Sequence, residues 1–208
     1  IRVVRDDHVA RPEVLDAVRP HGVRHLLDHR AEVDRLGEPL RHGAQLGVVH
    51  FPVSCNAPAQ EAFELGFALL HHMTYPQARE AFERVAAIDS RCAMAHWGIA
   101  TTLFQPLWPT RPRPAELQRG WDEVQRANAL APPTERERLF IAAAGAFFLE
   151  PASSDYWLRI RRWAEASERL YAAFPDDPEA RAFYALSLLA TTPSNTISRE
   201  HADRAAEI

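Results

Sequence analysis

Apolar and polar residues follow a helical period over most of the chain from Ala57 onward. Apolar residues recur three and four positions apart, as in 91–104, where Ala93, Ile99 and Leu103 lie on one stripe. Prolines, glycines and capping residues such as the one at 134 mark the limits of these stretches. The pattern predicts helices at about residues 57–72, 76–88, 91–104, 115–130, 134–149, 154–174 and 178–191, with a further helix from about Asn195.

Two segments interrupt the helical pattern. Residues 46–52 predict extended chain, since the residue before Pro52 is disfavoured in helical geometry. Residues 105–114 contain four prolines, which exclude a helix. We interpret this second segment as an insertion in a turn between helices. It is either a longer turn or, with Trp108 and Arg111, a lip over a binding groove.

One set of spacings points to a helical repeat. Leu65-Gly66, Tyr75, Ala78, Phe82 and Ile88-Asp89 lie where a 34-residue helix–turn–helix unit needs a small crossing residue, an aromatic filler and a following helix start. This spacing resembles the tetratricopeptide repeat. The resemblance implies an all-α fold, a right-handed α-solenoid of about four helix pairs.

Two strings narrow the resemblance. Phe51-Pro52-Val53-Ser54-Cys55 and the stretch 92–100, which reads CAMAHWGIA, are similar to a bacterial family of tetratricopeptide-repeat proteins. That family has FPxSC and CAMAxWGxA signatures, is largely unassigned in function and is often exported. The match runs from about Gly47 to Thr192, and family members typically continue into further histidine-rich helices.

This resemblance divides the chain into two parts. Residues 1–45 lie outside the resemblance and contain two short helical patterns, so we expect an N-terminal helical extension there. Residues 46–208 would form the repeat domain. The apolar stripe of the last helix either packs on the fourth pair or continues into a longer protein.

Charge and composition argue against two kinds of partner, nucleic acid and the membrane interior. The formal net charge is −4, which argues against a nucleic-acid partner because such proteins usually present a basic face. No apolar run approaches the ~20 residues that span a bilayer, so no membrane span is expected. No leader is visible at Ile1, and localisation therefore has to come from other features.

The two cysteines, Cys55 and Cys92, precede equivalent helices of successive repeats. Their sulfurs should therefore lie at the same end of neighbouring helices, and a disulfide, buried free thiols and metal ligands are all open. A disulfide would indicate an exported or periplasmic protein, whereas free thiols would suit the cytoplasm.

The expected binding surface is the concave groove of the solenoid. On the repeat alignment, Phe67 and His71 follow one another by one helical turn on its inner face. The residues expected to line this groove are Phe67, His71, Trp97, Phe104 and Phe147. His96 takes the position of an inter-helix aromatic, where core packing with one satisfied nitrogen is the simpler interpretation.

The sequence shows no nucleophile elbow and no glycine-rich phosphate loop. We therefore expect a non-catalytic scaffold, without a cofactor, that binds a peptide or protein segment in the groove. The alternative is a metal-binding protein or metal-dependent enzyme. It would hold a transition metal such as Zn or Cu with His50, His71 and His96, and with the cysteines if they are free.

Overall fold

The helical pattern from Ala57 onward becomes a series of helices. The computed structural model describes residues 46–153, 155–191 and 199–208, and in these ranges it contains eight α-helices and no strand. The predicted all-α class is confirmed. The predicted extension at 1–45 lies outside the described residues. The helices are α1 (Ala57–His71), α2 (Tyr75–Ile88), α3 (Ala93–Thr101), α4 (Pro114–Ala129), α5 (Glu135–Phe148), α6 (Tyr156–Ala173), α7 (Pro178–Ala190) and α8 (Arg199–Glu207).

Polar side chains set where four helices begin. Asn56, Thr134, Asp155 and Asp177 each accept a hydrogen bond from a backbone N–H in the first turn of α1, α5, α6 and α7. A cap of this kind satisfies a donor that the helix itself leaves unpaired. These starts lie within about two residues of the predicted ones, because the cap is a local property of the sequence.

Three helices end on a residue with a left-handed backbone. Met73, Ala131 and Glu150 have φ of 57°, 49° and 56°, directly after α1, α4 and α5. Glycine is the usual residue at this position, since a Cβ there costs steric energy. The sequence therefore gives no glycine signal for these three ends.

Helix α3 is shorter than the predicted 91–104. At its start Cys92 occupies the N-cap position, and at its end the Thr101 and Thr102 hydroxyls donate to the carbonyls of the preceding turn. The chain then leaves the helix, and the Phe104 ring stacks on Phe147 with centroids 4.1 Å apart. The tertiary contact at Phe104 takes precedence over the local helical pattern.

Each helix packs on the helices before and after it in the chain. In addition, α1 contacts α3, and α3 contacts α5. Two crossings depend on glycine. A Cβ at Gly98 in α3 would lie 2.4 Å from the Phe82 ring of α2, and one at Gly120 in α4 would lie 2.1 Å from the Phe148 ring of α5. Such distances are below van der Waals contact, so only glycine fits.

The segment before α1 enters the core. Phe51 is fully buried, and its ring lies 4.5 Å from Phe67, 5.0 Å from Phe140 and 5.6 Å from Trp97, centroid to centroid. Rings at these distances gain edge and stacking contacts in addition to burial. Residues 46–54, which we call the leading segment, are therefore joined to α1, α3 and α5.

Helix α7 covers the same ring cluster from the opposite end of the chain. The Phe183 ring lies 6.4 Å from Phe67, 5.7 Å from Trp97 and 5.7 Å from Phe140. Helices α1, α3, α5 and α7 thus share one aromatic interior.

Cys55 and Cys92 form a disulfide, with Cα atoms 5.0 Å apart. The bond joins the end of the leading segment to the start of α3. Of the three states that the sequence left open, the structure has the disulfide. None of the described helices is long and apolar enough to cross a bilayer.

Replacing Gly120 by alanine should destabilise the protein by about 2 kcal/mol, because the new methyl group overlaps the Phe148 ring in a packed core. Chemical denaturation measures this change. Gly145→Ala is the control, since its Cβ would meet only Val124 Cγ1 at 3.1 Å. Equal effects of the two substitutions would contradict the crossing argument.

The disulfide closes a loop with a sequence separation of 37. A loop of this size is worth about 4 kcal/mol in the chain-entropy model, so Cys55→Ala with Cys92→Ala should lower the free energy of unfolding by about that amount. Denaturation curves with and without reductant test this. Reductant should lower the unfolding free energy of the wild type to that of the double variant and leave the variant's value unchanged. If reductant does not change the wild-type value, the cross-link contributes nothing to stability.

Candidate functional site

Four of the five predicted groove residues belong to the closed core. Phe67, Trp97 and Phe147 are at most 1% exposed, and Phe104 is 3% exposed. Their side chains do turn inward, as the repeat alignment predicts, but the prediction that Phe67, Trp97 and Phe147 line an open groove is corrected. Phe51 and Phe183 pack on Phe67 and Trp97, and the Phe104 ring stacks on Phe147, so these three side chains have no surface left for a ligand.

Phe51 of the leading segment occupies this interior, and hydrogen bonds hold the main chain next to it. The Gln60 side chain accepts from the Val53 N–H at 2.8 Å and donates to the Phe51 carbonyl at 2.9 Å. Glu137 accepts from the Ser54 N–H at 2.6 Å. Helices α1 and α5 therefore bind the main chain of residues 51–54 as a groove would bind a peptide.

The fifth predicted residue, His71, lines an open cleft together with the buried Phe104. We call it the apolar cleft. It has a volume of about 220 Å³ and lies between the end of α1, the segment after α3 and one face of α7. Its walls are mostly apolar side chains, chiefly Leu70, Phe104, Pro106, Trp163, Phe183 and Leu186.

The size of the apolar cleft limits what can enter it. Small-molecule sites usually occupy ~300–1,000 Å³, whereas this cleft is smaller and suits one or two side chains. Exposed apolar side chains lie in or next to its lining. Met73 lines the cleft and is 40% exposed, and Leu107 and Trp108, which follow the lining residue Pro106 in the chain, are 44% and 50% exposed.

The insertion at 105–114 forms one edge of the cleft through Pro106. The Arg111 guanidinium lies 3.7 Å from the centre of the Tyr156 ring and attaches the insertion to α6. The Trp108 side chain donates a hydrogen bond to the Tyr75 hydroxyl. Burial raises the pKa of Tyr75 above its ordinary value, and the Trp108 bond opposes this only in part. Tyr75 thus remains a neutral polar group at the cleft wall.

The three candidate metal ligands do not converge. His50 lies 3.5 Å from Glu64, His71 lies 3.0 Å from Glu179, and His96 lies 2.7 Å from Glu123. Each imidazole therefore has its own carboxylate on a different part of the fold. Among the described residues, no three His, Cys, Asp or Glu side chains are placed to hold a metal ion. The structure therefore does not bring the three histidines of the alternative together, and both cysteines are engaged in the disulfide.

His96 follows the simpler interpretation given above. Its Nδ1 pairs with Glu123 Oε2, and the Glu123 side chain is only 5% exposed. Arg126 also donates to this carboxylate, at 2.9 Å, so the buried charge is compensated. The group is a polar element of helix packing between α3 and α4.

Several residues of the cleft were absent from the sequence predictions. Ala182, Phe183 and Leu186 come from α7, and no local pattern indicates that this helix closes against α1. Arg79 lines a second cleft with Tyr75. The two lie four positions apart on α2, and that spacing places them on the same helix face.

No family model, curated protein or solved structure matches this chain. The resemblance to tetratricopeptide-repeat proteins therefore stays a prediction from the motifs.

Helix α7, one wall of the cleft, is held by a hydrogen bond and an ion pair. His71 contacts Glu179, and Arg136 donates to Asp177, the N-cap of α7. Burial raises the pKa of Asp177, but the bond from Arg136, the N–H groups of α7 and the Arg136 charge together lower it below its ordinary value.

A depressed carboxyl pKa contributes stability above the unfolded value near ~4 and loses it as the pH falls through the folded value. Asp177→Asn keeps a capping side chain but removes the charge, so it should cost about 1–2 kcal/mol at pH 7 and progressively less as the pH falls through the folded pKa. Denaturation between pH 2 and pH 7 measures the difference. The exposed neighbour supplies the control, since Asp176→Asn should show no such convergence. A cost for Asp177→Asn that is the same at every pH would contradict the ion-pair account.

Proposed function

We propose that this chain is a non-catalytic, tetratricopeptide-like scaffold that binds a peptide or protein segment. The bound segment presents a large apolar side chain to the apolar cleft. The observation that carries the proposal is the open apolar cleft between Leu70, Phe104 and Phe183, with the exposed Met73 in its lining.

The packing of the helices supports the repeat architecture. Consecutive helices contact one another, and α1, α3 and α5 contact in series, as stacked helix pairs do. We assign four pairs, α1/α2, α3/α4, α5/α6 and α7/α8, in a right-handed solenoid. The glycine crossings at Gly66 and Gly98 against Phe82 are the close approaches that such pairs need.

The location of the binding surface differs from the first expectation. The inner face of the array is occupied by the chain's own Phe51, which leaves no groove for a second segment. The apolar cleft opens instead beside the insertion, where Trp108 and Leu107 remain in solvent. Monomeric proteins rarely leave large neighbouring apolar groups exposed unless a partner covers them.

The disulfide supports an oxidising location. Cross-links of this kind persist outside the cytoplasm and are rare inside it. We propose that the protein works in an extracytoplasmic compartment, where its partner would also be found.

Selection from a phage-displayed library of random dodecapeptides tests the proposed function. We expect enriched peptides that share a large apolar residue. Ala182 is exposed and lines the cleft, so Ala182→Trp should fill it and weaken binding of those peptides at least tenfold. A loss of this size corresponds to the free energy gained by burying one large apolar side chain, about 1.5–3 kcal/mol.

Ala142→Trp is the matched control, because Ala142 is an exposed mid-helix alanine that lines neither cleft. Dissociation constants from fluorescence polarisation, with melting curves to confirm folding, give the comparison. Enriched peptides that bind both variants as tightly as the wild type would overturn the proposal, as would a selection that enriches no peptide.

A further inference from the structure

A second cleft adjoins the apolar cleft and differs from it in charge. It has a volume of about 270 Å³ and lies between α2, the insertion and the start of α4. Tyr75 and Phe104 line both clefts and form the wall between them. We call the second one the arginine cleft, because its charged lining residues are Arg79, Arg111, Arg113 and Glu116.

The balance of charge in this cleft is positive. Three guanidinium groups face one carboxylate, on a chain whose formal net charge is −4. Arg113 neutralises Glu116 through a 2.9 Å hydrogen bond. A cleft that keeps one sign of charge between protein walls attracts the opposite charge more strongly than an open surface does.

Arg79 is the guanidinium that the fold leaves available. It is half-buried on α2, and in the part of the chain that the structure describes no oxygen accepts a hydrogen bond from it. Glu116 acts on it only at a distance, since the Glu116 oxygens are used by Arg113. Arg111 donates through Nη1 alone, to the carbonyls of Trp108 and Thr110. Its remaining donors are therefore also open to an anion.

We infer that the bound segment carries a carboxylate within a few residues of its apolar anchor, and that this carboxylate pairs with Arg79 in the arginine cleft. The inference rests on the proposed function and specifies its partner. Because one wall separates the clefts and consecutive Cα atoms lie ~3.8 Å apart, neighbouring residues of one peptide reach both.

Guanidinium is the side chain best suited to this role. Its planar set of donors matches the two oxygens of a carboxylate, and the pair is charge-assisted. The carboxylate has two sources in a peptide, an acidic side chain or the C-terminal carboxyl group. Both present the same chemistry to Arg79, so the experiment has to separate them.

Four synthetic nonapeptide pools test the inference. Each has a central Phe and uncharged randomised positions. Three are C-terminal amides with one Asp, Asn or Lys within three residues of the Phe, and the fourth is the Asn pool with a free C-terminal carboxyl group. The fraction retained on immobilised protein is measured by mass spectrometry. We expect the wild type to retain the Asp pool, or the free-carboxyl pool, about tenfold better than the Asn amide pool and to exclude the Lys pool.

Variants at one position decide whether Arg79 is responsible. Arg79→Gln should abolish the preference for a carboxylate, and Arg79→Glu should transfer it to the Lys pool. Arg169→Glu is the control with the same charge change, on an exposed arginine of α6 that lines neither cleft. This variant should bind the four pools in the same order of preference as the wild type does. Melting curves confirm that each variant is folded. If Arg79→Glu does not fold, Arg79→Gln alone tests the role of Arg79.

Different results of this experiment would contradict the carboxylate inference and the proposed function. If the wild type retains the Asp, Asn and Lys amide pools and the free-carboxyl pool equally while Ala182→Trp abolishes retention, the apolar cleft binds peptides and the carboxylate inference is overturned. A carboxylate preference that persists in Arg79→Gln would also overturn it. Retention that Ala182→Trp leaves unchanged would overturn the proposed function itself.

Discussion

The burial of Phe51 is the contact on which the rest of this structure depends. Its ring lies among Phe67, Trp97 and Phe140, and burying one such side chain is worth about 1.5–3 kcal/mol. Arg136 covers the same ring at 4.0 Å and continues to Asp177 at the start of α7. One side chain therefore connects the leading segment, α5 and α7.

This contact changes what the helical array can bind. In the proposed repeat fold the concave face would be the ordinary ligand surface, and Phe51 of the leading segment fills it. The hydrogen bonds from Gln60 and Glu137 hold that segment by its main chain, and the disulfide joins its end to α3. The apolar surface that stays open is displaced to the ends of α1 and α3, beside Leu70 and Phe104.

The proline-rich insertion gives this displaced surface its form. Prolines reduce the conformational freedom that the segment loses on folding, so a ten-residue insertion can stay ordered at modest entropic cost. The stacking of Arg111 on Tyr156 and the bond from Trp108 to Tyr75 fix it between α2 and α6. Its apolar edge adjoins one cleft and its arginines line the other.

Local features of the sequence were sufficient to locate the helices, although not the end of α3. Capping residues such as Thr134 and Asp177, the prolines and the 3.6-residue period act within a few positions of one another, so they can be recognised without knowing the fold. The inward direction of Phe67 and Trp97 followed from the same period. The glycine at 66 and the cysteine positions limited the packing in advance, although three states of the cysteines stayed open.

The site depended on contacts between distant parts of the chain. Whether Phe67 and Trp97 reach solvent is decided by Phe51 and Phe183, and the partners of His71 and His96 lie on α7 and α4. By itself the sequence determined which segments are helical and which faces turn inward, because those properties come from neighbouring residues. Only the tertiary structure decided which of those faces stays open, since exposure is set by whatever packs against a side chain from elsewhere in the chain.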